Sequence, residues 1–324
     1  MDKMLFISWI SHNRRSQLIA DKLKIELHQI QIFKRRYFLA PIRYILQAIK
    51  TLKICIREQP KVIFVQNPPI FAPLIVYVYA KIWKSKLIID SHTFALLAWW
   101  WKWSLPIHAY LSRRAITTIV TNNHLDKMMR NWKAHSFILA DIPTIFPQGK
   151  KFTPEGNFNV AVINTFAPDE PVEEVLKAAA LLPDVQFYIT GDLIRAKRTY
   201  LLNRPNNVSF TGFIPDEKYF GLLRGVDVIM VLTNDDHTMQ RGACEAVSLG
   251  KPIITSNWPL LRSYFNKGTI HVENSSEQIR TGVMRVKKEL PILEKEVLDL
   301  QKERWIEWNN KFKALTMLIE NSIE

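Results

Sequence analysis

Apolar and polar residues in the first half of the chain alternate between short strand-like runs and longer stretches with helical spacing. Strands are predicted at residues 4–10, 29–33, 61–66, 86–90, 115–121 and 137–140. Helices are predicted at residues 16–28, 44–57 and 70–83, and a further helix near His124 is capped by Thr121 or Asn122. The strand at 61–66 stops before Pro68 and Pro69, because proline cannot donate to a strand ladder.

The second half repeats this alternation after a segment rich in proline and glycine. Pro143, Pro147, Gly149, Pro154 and Gly156 mark that segment as the linker. Strands are predicted at residues 159–163, 186–190, 208–211, 227–232 and 252–255, and helices at 172–182, 219–224, 238–249 and 290–324.

Strands separated by helices of this length indicate parallel sheets that are covered on both faces. Two such units in tandem predict an α/β protein with two doubly wound domains, at residues 1–150 and 151–300, and a helix at 301–324 that crosses back to the first domain. Because such sheets bind ligands at the carboxyl ends of their strands, we expect the site in a cleft between the domains. The absence of G-x-G-x-x-G and G-x-x-x-x-G-K-[ST] sequences disfavours dinucleotide oxidoreductases and P-loop nucleotidases.

The chain is basic, and the excess of positive charge lies in its first half. Residues 1–150 hold 23 Lys and Arg side chains against 7 Asp and Glu, whereas residues 151–324 hold 21 against 23. This asymmetry predicts an anionic partner for the first domain. A membrane surface, a phosphorylated lipid and a nucleic acid are the classes of partner that fit.

Cysteine content and hydropathy bear on the compartment. The two cysteines, Cys55 and Cys244, form no C-x-x-C pair and fit a reducing environment. The N-terminus lacks the features of a signal peptide, and no apolar run reaches the roughly 20 residues that span a bilayer. We therefore expect a cytoplasmic protein. No His, Asp and Glu cluster has metal-ligand spacing, so neither a metal nor another cofactor is expected.

The strongest candidate for ligand chemistry is the stretch at residues 235–255, which is predicted to form a loop, a helix, a glycine stop and a buried strand. The start of a helix offers free amide groups and a positive dipole end, which suit a diphosphate. The candidate residues at this start are Thr238, Gln240, Arg241 and Gly242. Arg241 adds a charged contact, Gly242 admits close approach of a ligand, and Glu245 accepts hydrogen bonds from a ribose. An ordinary solvated helix is the alternative.

The pattern E-A-x-x-x-G-K-P-I-I that begins at Glu245 resembles the donor-site helix of family 4 retaining glycosyltransferases. That family has a second Glu eight residues earlier, where this chain has His237. Gly191 and Asp192 after a predicted strand are similar to a glycine turn of the same family. The resemblance covers most of residues 159–265. It implies a GT-B fold, a nucleotide-sugar donor near these residues, and catalysis without a bound metal.

Three shorter segments resemble the β-mannosyltransferases that act on lipid-linked chitobiose. They are V-Q-N-P-P at residues 65–69, I-D-S-H at 89–92 and T-F-A-P-D-E at 165–170. Family 4 enzymes usually place an Arg and a Lys near the last of these loops, and this chain lacks that pair. Arg241, Lys251 and backbone amides are then the candidates that neutralise the donor phosphates. The two resemblances leave open whether transfer inverts or retains the anomeric configuration.

Acid–base candidates follow two strands of the first domain. Asp90 and His92 end a predicted buried strand, where a doubly wound sheet presents groups to its ligand. Asp90 fits the general base of an inverting transfer, and His92 fits a contact to the donor sugar or phosphate. His12 follows the first strand, a place where some GT-B enzymes carry their base. Arg14 and Arg15 are candidates for holding an acceptor phosphate. Capping, structural and solvated roles are the alternatives for these residues.

The four tryptophans Trp99, Trp100, Trp101 and Trp103 fall within five residues and cannot all face one core. Indole rings beside Lys or Arg favour a membrane interface. Further basic residues in the same domain are Lys34, Arg35, Arg36, Arg43, Arg113 and Arg114. We predict that this face docks on anionic lipid, on the inner face of the membrane. Packing under a loop, or lining of an acceptor groove, is the alternative.

Together these features predict a glycosyltransferase that moves a hexose from a GDP- or UDP-sugar to a lipid-linked or glycan acceptor in polysaccharide or glycoconjugate synthesis. A nucleotide-sugar epimerase of the same fold is one alternative. A non-catalytic basic protein that binds a membrane or a nucleic acid is another. No recognition helix or RNP-like strand supports a nucleic-acid partner, so none is expected.

Overall fold

A computed structural model of the chain describes residues 3–10, 13–33, 39–141 and 143–323. The chain divides into two compact units, which are Met1–Ile142 with Trp308–Glu324, and Pro143–Glu307. Each unit contains one six-stranded sheet, and all strand pairs described in both sheets are parallel. The predicted α/β fold with two doubly wound sheets is therefore confirmed.

The first unit has a sheet of strand order β2-β1-β3-β4-β5-β6. Its strands are β1 (Met4–Ser8), β2 (Glu26–Gln29), β3 (Val62–Asn67), β4 (Lys86–Ser91), β5 (Thr117–Val120) and β6 (Ser136–Ile138). Its helices are α1 (Arg14–Leu23), α2 (Ala40–Glu58), α3 (Phe71–Trp83), α4 (Thr93–Leu97), α5 (Leu105–Ser112) and α6 (Asn123–Asn131). A 3₁₀ helix at Trp99–Ser104 connects α4 to α5.

The prediction of one helix over residues 16–28 was wrong in its second half. The helix α1 ends at Leu23 because Lys24 adopts a left-handed conformation with φ of 55° and donates its amide to the carbonyls of Ala20 and Asp21. The strand β2 follows at once and pairs with β1, three residues earlier than predicted. At α6 the choice between two caps is settled, because the Asn122 side chain accepts a 3.0 Å bond from the Leu125 amide.

The second unit has a sheet of strand order β12-β11-β10-β7-β8-β9. Its strands are β7 (Asn159–Val162), β8 (Gln186–Thr190), β9 (Val208–Gly212), β10 (Val228–Val231), β11 (Ile253–Ser256) and β12 (Thr269–Val272). Its helices are α7 (Val172–Ala180), α8 (Arg198–Leu202), α9 (Asp216–Gly225), α10 (Arg241–Leu249), α11 (Pro259–Tyr264) and α12 (Ser276–Ile323).

The helix α10 begins three residues later than predicted. Gln240 is its N-cap, with extended backbone angles φ −83° and ψ 106°. Thr238 lies in the preceding turn, where its hydroxyl donates a 2.9 Å bond to Asp235. A hydroxyl that bonds to a nearby side chain favours a turn over a helical conformation. The C-terminal end agrees with the prediction, because Gly250 takes the left-handed conformation that stops the helix.

The long helix α12 belongs to both units and begins 14 residues before the predicted start at Leu290. Its last part packs into the core of the first unit through Trp308, Leu315 and Ile319. The indole nitrogen of Trp308 donates to the Ala140 carbonyl at 3.3 Å. Among the residues that the structure describes, no helix has the length and hydropathy needed to cross a membrane.

Strand order reverses between β1 and β3 in the first unit and between β7 and β10 in the second. Ligands of open α/β sheets bind outside the carboxyl ends of the strands, at such a reversal. In the second unit this place is formed by the loop after β7 and by the segment that leads from β10 to α10. In the first unit it is formed by the residues after β1 and β3. Each unit therefore offers one defined edge for a ligand.

Candidate functional site

Glu245 lies on α10, and two side chains fix its carboxylate. The hydroxyl of Tyr219 on α9 donates a 2.7 Å hydrogen bond to Oε2, and Nε of Arg241 lies 3.4 Å from Oε1. Only 8% of Glu245 is exposed. An ionised carboxylate can accept about four hydrogen bonds, so it is a group that can bind the hydroxyls of a ligand. Sequence reasoning missed Tyr219, since its role depends on how α9 packs beside α10.

The first backbone N–H groups of α10 point out of the N-terminal end of the helix, because they have no acceptor within the helix itself. The side chain of the N-cap residue Gln240 makes no capping bond to them. Gly242 in the first turn packs against the end of β7, where a Cβ atom would lie 2.9 Å from two carbon atoms of Ile163. The glycine is thus required for helix–sheet packing. The predicted close approach of a ligand to this glycine stays a prediction.

The loop after β7 contains the T-F-A-P-D-E segment and is held by Glu170. The Glu170 carboxylate accepts bonds from the amides of Thr165 at 3.0 Å and Ala167 at 2.7 Å. Burial raises the pKa of this carboxyl group, against the effect of these bonds. The hydroxyl of Thr233 donates a 2.7 Å bond to Asp169 and so ties this loop to the segment after β10. The two sides of the reversal between β7 and β10 therefore form one connected structure.

The other predicted donor residues lie on the same edge of the second sheet. Gly191 follows β8 with φ of 125°, and a Cβ atom there would lie 2.6 Å from the Asn164 carbonyl oxygen. Asp192 accepts a 3.2 Å bond from the Ile194 amide and caps a short 3₁₀ helix. His237 precedes α10 and is partly exposed, with Nε2 3.4 Å from Asp236.

The positive charges on this edge differ from those predicted. Lys251 follows α10 and precedes β11, so it lies at the opposite, amino-terminal edge of the sheet. Its ammonium group donates a 2.7 Å bond to the Val226 carbonyl, and burial lowers its pKa. Lys251 is therefore removed from the phosphate candidates. Arg195, Lys197 and Arg198 are exposed and follow β8 on the ligand edge. Because they follow Gly191 and Asp192 directly in sequence, these three residues could have been predicted as further candidates for contact with the donor phosphates.

The first unit contains a buried ion cluster around Arg15. Its Nε lies 3.1 Å from Oδ1 of Asp90, and its Nη1 lies 2.9 Å from Oδ1 of Asp141. Its Nη2 donates a 2.9 Å bond to the Leu139 carbonyl. Desolvation of the guanidinium opposes its charge, but the two carboxylates raise its pKa above the ordinary value. These bonds direct the guanidinium into the unit, while the predicted contact of Arg14 and Arg15 with an acceptor phosphate stays a prediction.

Asp90 and His92 lie together at the end of β4. Burial opposes ionisation of Asp90, but Arg15 and His92 outweigh burial and lower the pKa of this carboxyl group to about 2. Nε2 of His92 lies 3.4 Å from Oδ2 of Asp90, and the imidazole ring is partly exposed while the carboxylate is buried. A buried carboxylate of such low pKa is a poor proton acceptor at neutral pH. Of the two groups, the imidazole is the one that a ligand can reach.

Two further features complete this edge of the first unit. The side chain of Asn13 caps α1 by accepting a 3.2 Å bond from the Ser16 amide. Buried His108 lies 3.3 Å from the Asn67 amide nitrogen and 3.2 Å from the Ser91 hydroxyl, at the ends of β3 and β4. Burial lowers the pKa of His108 to about 3, so the ring is neutral at pH 7. The base candidate His12 lies outside the described residues.

Three of the four clustered tryptophans are exposed, as expected for rings that cannot share one core. Trp99, Trp100 and Trp103 are exposed by 74%, 41% and 56%, while Trp101 packs against the core of the first unit. Arg114 stacks on the ring of Tyr110, with Cζ 3.6 Å from the ring centre. The basic residues 34–36 lie outside the described part of the chain.

Comparison with known proteins gives one family match. Residues 146–296 match the family model described as Glycosyl transferases group 1. These residues include β7 to β12 and the start of α12. No curated protein matches the chain by sequence.

Solved structures share the fold at low sequence identity. Sucrose-phosphate synthase from Thermosynechococcus elongatus is 12% identical, with 98% of each chain covered and a TM-score of 0.75. HepE from Anabaena in complex with UDP and glucose is 12% identical, with 99% of this chain and 100% of that chain covered and a TM-score of 0.72. A putative UDP-N-acetylglucosamine 2-epimerase from Listeria monocytogenes is 10% identical, with 92% and 91% covered and a TM-score of 0.63.

Likeness at such identity shows the fold alone, and the family model matches residues 146–296 of the 324-residue chain. The predicted GT-B fold is confirmed, whereas membership of family 4 or of the β-mannosyltransferase family stays a prediction. The chain therefore has a GT-B fold in which residues 146–296 match the Glycosyl transferases group 1 family, and this match supports glycosyltransferase activity.

Proposed function

We propose that the protein transfers a sugar from a nucleoside-diphosphate sugar to a lipid-linked or glycan acceptor, in the synthesis of a polysaccharide or glycoconjugate. The donor binds to the second unit and the acceptor to the first. One observation carries the donor assignment: Tyr219 holds Glu245 one turn into α10, the helix that begins on the edge where the strand order reverses.

Donor binding follows from the groups on this edge. The diphosphate lies at the amides of the α10 start, where the helix dipole and Arg241 stabilise its negative charge. Glu245 accepts hydrogen bonds from the ribose hydroxyls. HepE was solved in complex with UDP-glucose on the same fold, which supports UDP-sugars as the first donors to test, before GDP-sugars.

In the transfer step, the acceptor hydroxyl oxygen bonds to the anomeric carbon, and the bond from that carbon to the diphosphate oxygen breaks. The nucleoside diphosphate leaves, and the acceptor gives up its hydroxyl proton. For an inverting transfer we assign the proton acceptor to His92, with Asp90 positioning the ring, because the Asp90 carboxylate is buried and paired with Arg15. His12 is the second candidate. A retaining transfer does not require either histidine as a general base. The anomeric configuration of the product shows whether transfer inverts or retains.

The acceptor is presented at an anionic membrane surface on the cytoplasmic side. The exposed rings of Trp99, Trp100 and Trp103 lie in a basic unit, and indole rings favour the bilayer interface. A nucleotide-sugar epimerase shares the fold but needs no acceptor. The exposed aromatic segment therefore supports transfer to an acceptor over epimerisation.

A donor screen tests this proposal. The purified protein is incubated with UDP- and GDP-sugars and with lipid-linked or glycan acceptors, and products are followed by NMR of the anomeric proton. We expect release of nucleoside diphosphate that depends on acceptor, and its loss in Glu245→Ala. Conversion of the donor into an isomeric nucleotide-sugar without acceptor would replace transfer by epimerisation. Absence of any nucleotide binding would reject the donor site.

A further inference from the structure

The helix α2 presents a row of apolar residues to the surface in its first half, and its buried residues are Gln47, Thr51, Ile54 and Cys55. Gln47 and Thr51 are buried, whereas Ile42, Leu46 and their neighbours are exposed. The exposed apolar residues of this stretch are Ile42, Ile45, Leu46 and Ile49, and Ile45 is exposed by 60%. A helix on the surface of a globular protein normally turns its apolar residues toward the core. The exposed apolar residues on the outward face of α2 are therefore an unusual feature of this helix.

Hydrogen bonds fix this orientation of α2. The Gln47 amide group donates to the Ile30 carbonyl at 2.6 Å and to the Trp9 carbonyl at 3.3 Å. The Thr51 hydroxyl accepts a 2.8 Å bond from the indole nitrogen of Trp9. Rotation of the helix to bury its isoleucines would leave these polar groups without partners, at a cost of about 1–3 kcal/mol each. The apolar face is therefore held outward by the fold.

A chain of aromatic contacts connects this face to the exposed tryptophans. The ring of Tyr44 on α2 lies 4.7 Å from that of Phe71, and the Phe71 ring lies 6.0 Å from that of Trp103. We call Ile42, Ile45, Leu46, Ile49 and Trp103 the α2 patch. Helices that connect parallel strands begin at the carboxyl edge of the sheet, so the starts of α2 and α3 lie at the edge that holds Asp90 and His92.

The charge around the α2 patch is positive. Residues 41–125 contain only two carboxylates, Glu58 and the buried Asp90. Arg43 lies over the ring of Tyr44, and Lys50 and Lys53 are exposed on α2 itself. An apolar face with a basic rim fits an anionic bilayer surface. A second copy of the chain fits less well, because two basic rims would meet.

We propose that the α2 patch is the element that inserts into the interface of an anionic phospholipid bilayer. This inference rests on the proposed membrane association and names its contact surface. Because Ile42, Ile45 and Ile49 lie in the first half of α2, their insertion brings the nearby carboxyl edge of the first sheet close to the lipid headgroups. An acceptor anchored in the same bilayer is then within reach of His92.

Vesicle binding tests this inference with matched variants of the full chain. The α2 variant carries Ile42→Ser, Ile45→Ser and Ile49→Ser. The control carries Ile194→Ser, Leu202→Ser and Phe213→Ser, which replace residues of the second unit with similar or greater exposure. Binding is measured by co-sedimentation with vesicles of phosphatidylcholine alone and with phosphatidylserine. We expect the α2 variant to bind anionic vesicles at least about tenfold more weakly than wild type, and the control to bind as wild type does.

The possible failures are distinguishable. Equal binding by wild type and the α2 variant would show that the isoleucines of α2 do not insert, which overturns the inference. The exposed rings of Trp99, Trp100 and Trp103 would then remain as the contact. Wild-type protein that binds no vesicles would reject membrane association itself. A dimer that the α2 variant dissociates, seen by size-exclusion chromatography with light scattering, would assign the patch to a second copy of the chain. Nucleotide binding by the α2 variant is measured in parallel, and its retention shows that the fold and the donor site are intact.

Discussion

Tyr219 and Glu245 are joined by a 2.7 Å hydrogen bond that connects two helices beside the ligand edge of the second unit. This bond sets the direction of a carboxylate that is otherwise buried. In the proposed donor site, the bond holds this carboxylate in place for the ligand. The donor assignment depends on this carboxylate more than on any other side chain.

Replacement of Glu245 separates a donor contact from a structural role. We expect Glu245→Ala to weaken binding of a nucleoside diphosphate by about 10- to 100-fold, because a hydrogen bond to a charged group is worth about 1.5–3 kcal/mol. Tyr219→Phe keeps the carboxylate and should weaken binding less. Isothermal titration calorimetry measures both. Equal affinity in wild type and Glu245→Ala would remove Glu245 from the site.

Substitution of Gly242 tests the packing at the start of α10. In Gly242→Ala the new methyl group meets Ile163 at 2.9 Å, and overpacking of this kind costs about 1–3 kcal/mol. We expect lower thermal stability and weaker nucleotide binding. Combination with Ile163→Ala should restore part of the nucleotide affinity. No recovery in the double variant would show that the glycine serves the ligand rather than the packing.

The buried cluster of Arg15 predicts a strong coupling with Asp90. Arg15→Met leaves a buried carboxylate without its main partner, and loss of one member of a buried pair costs about 3–5 kcal/mol. The double variant Arg15→Met/Asp90→Asn should be more stable than Arg15→Met alone. Urea unfolding measures Arg15→Met, Asp90→Asn and the double variant, and Arg113→Met, at an exposed arginine, serves as the control. Additive effects would contradict a coupled pair.

The buried His108 predicts a dependence of stability on pH. The folded state holds the ring neutral because burial lowers its pKa to about 3, whereas the ring in the unfolded chain has the ordinary histidine pKa of 6.5. The unfolded state then binds more protons between pH 6.5 and 3, so the free energy of unfolding falls as pH falls through this window, by up to about 1.4 kcal/mol per pH unit. His108→Gln should reduce this slope, and His135→Gln, at an exposed histidine, should not. An unchanged slope in His108→Gln would contradict the burial of a neutral ring.

Much of the architecture was predictable from the sequence because apolar runs and helical spacing define parallel sheets covered on both faces. The errors lie where a single backbone conformation decides an element boundary. Lys24 ends α1 in a left-handed conformation that lysine rarely adopts, so the pattern alone extended the helix. Thr238 bonds to Asp235 and delays the start of α10, although its neighbours have helical spacing.

Only those parts of the candidate site whose residues are contiguous in sequence could be predicted. The segment at Glu245 and the loop at residues 165–170 were identified because their residues are contiguous. The bonds of Tyr219 and Asp141 could not be predicted, since their partners lie 26 and 126 residues away in sequence. The same limit applies to the outward face of α2. Its isoleucines have the spacing of a buried helix face, and only the bonds of Gln47 reveal which face is inside.

Hydrogen exchange with mass spectrometry tests the central claim most directly, because it reports where a nucleotide protects the backbone amides. With saturating UDP or GDP, slower exchange is expected in peptides that cover residues 165–170 and 240–245, and Glu245→Ala should reduce that protection. Protection confined to other segments, with these two unchanged at saturation, would contradict a diphosphate site at the start of α10.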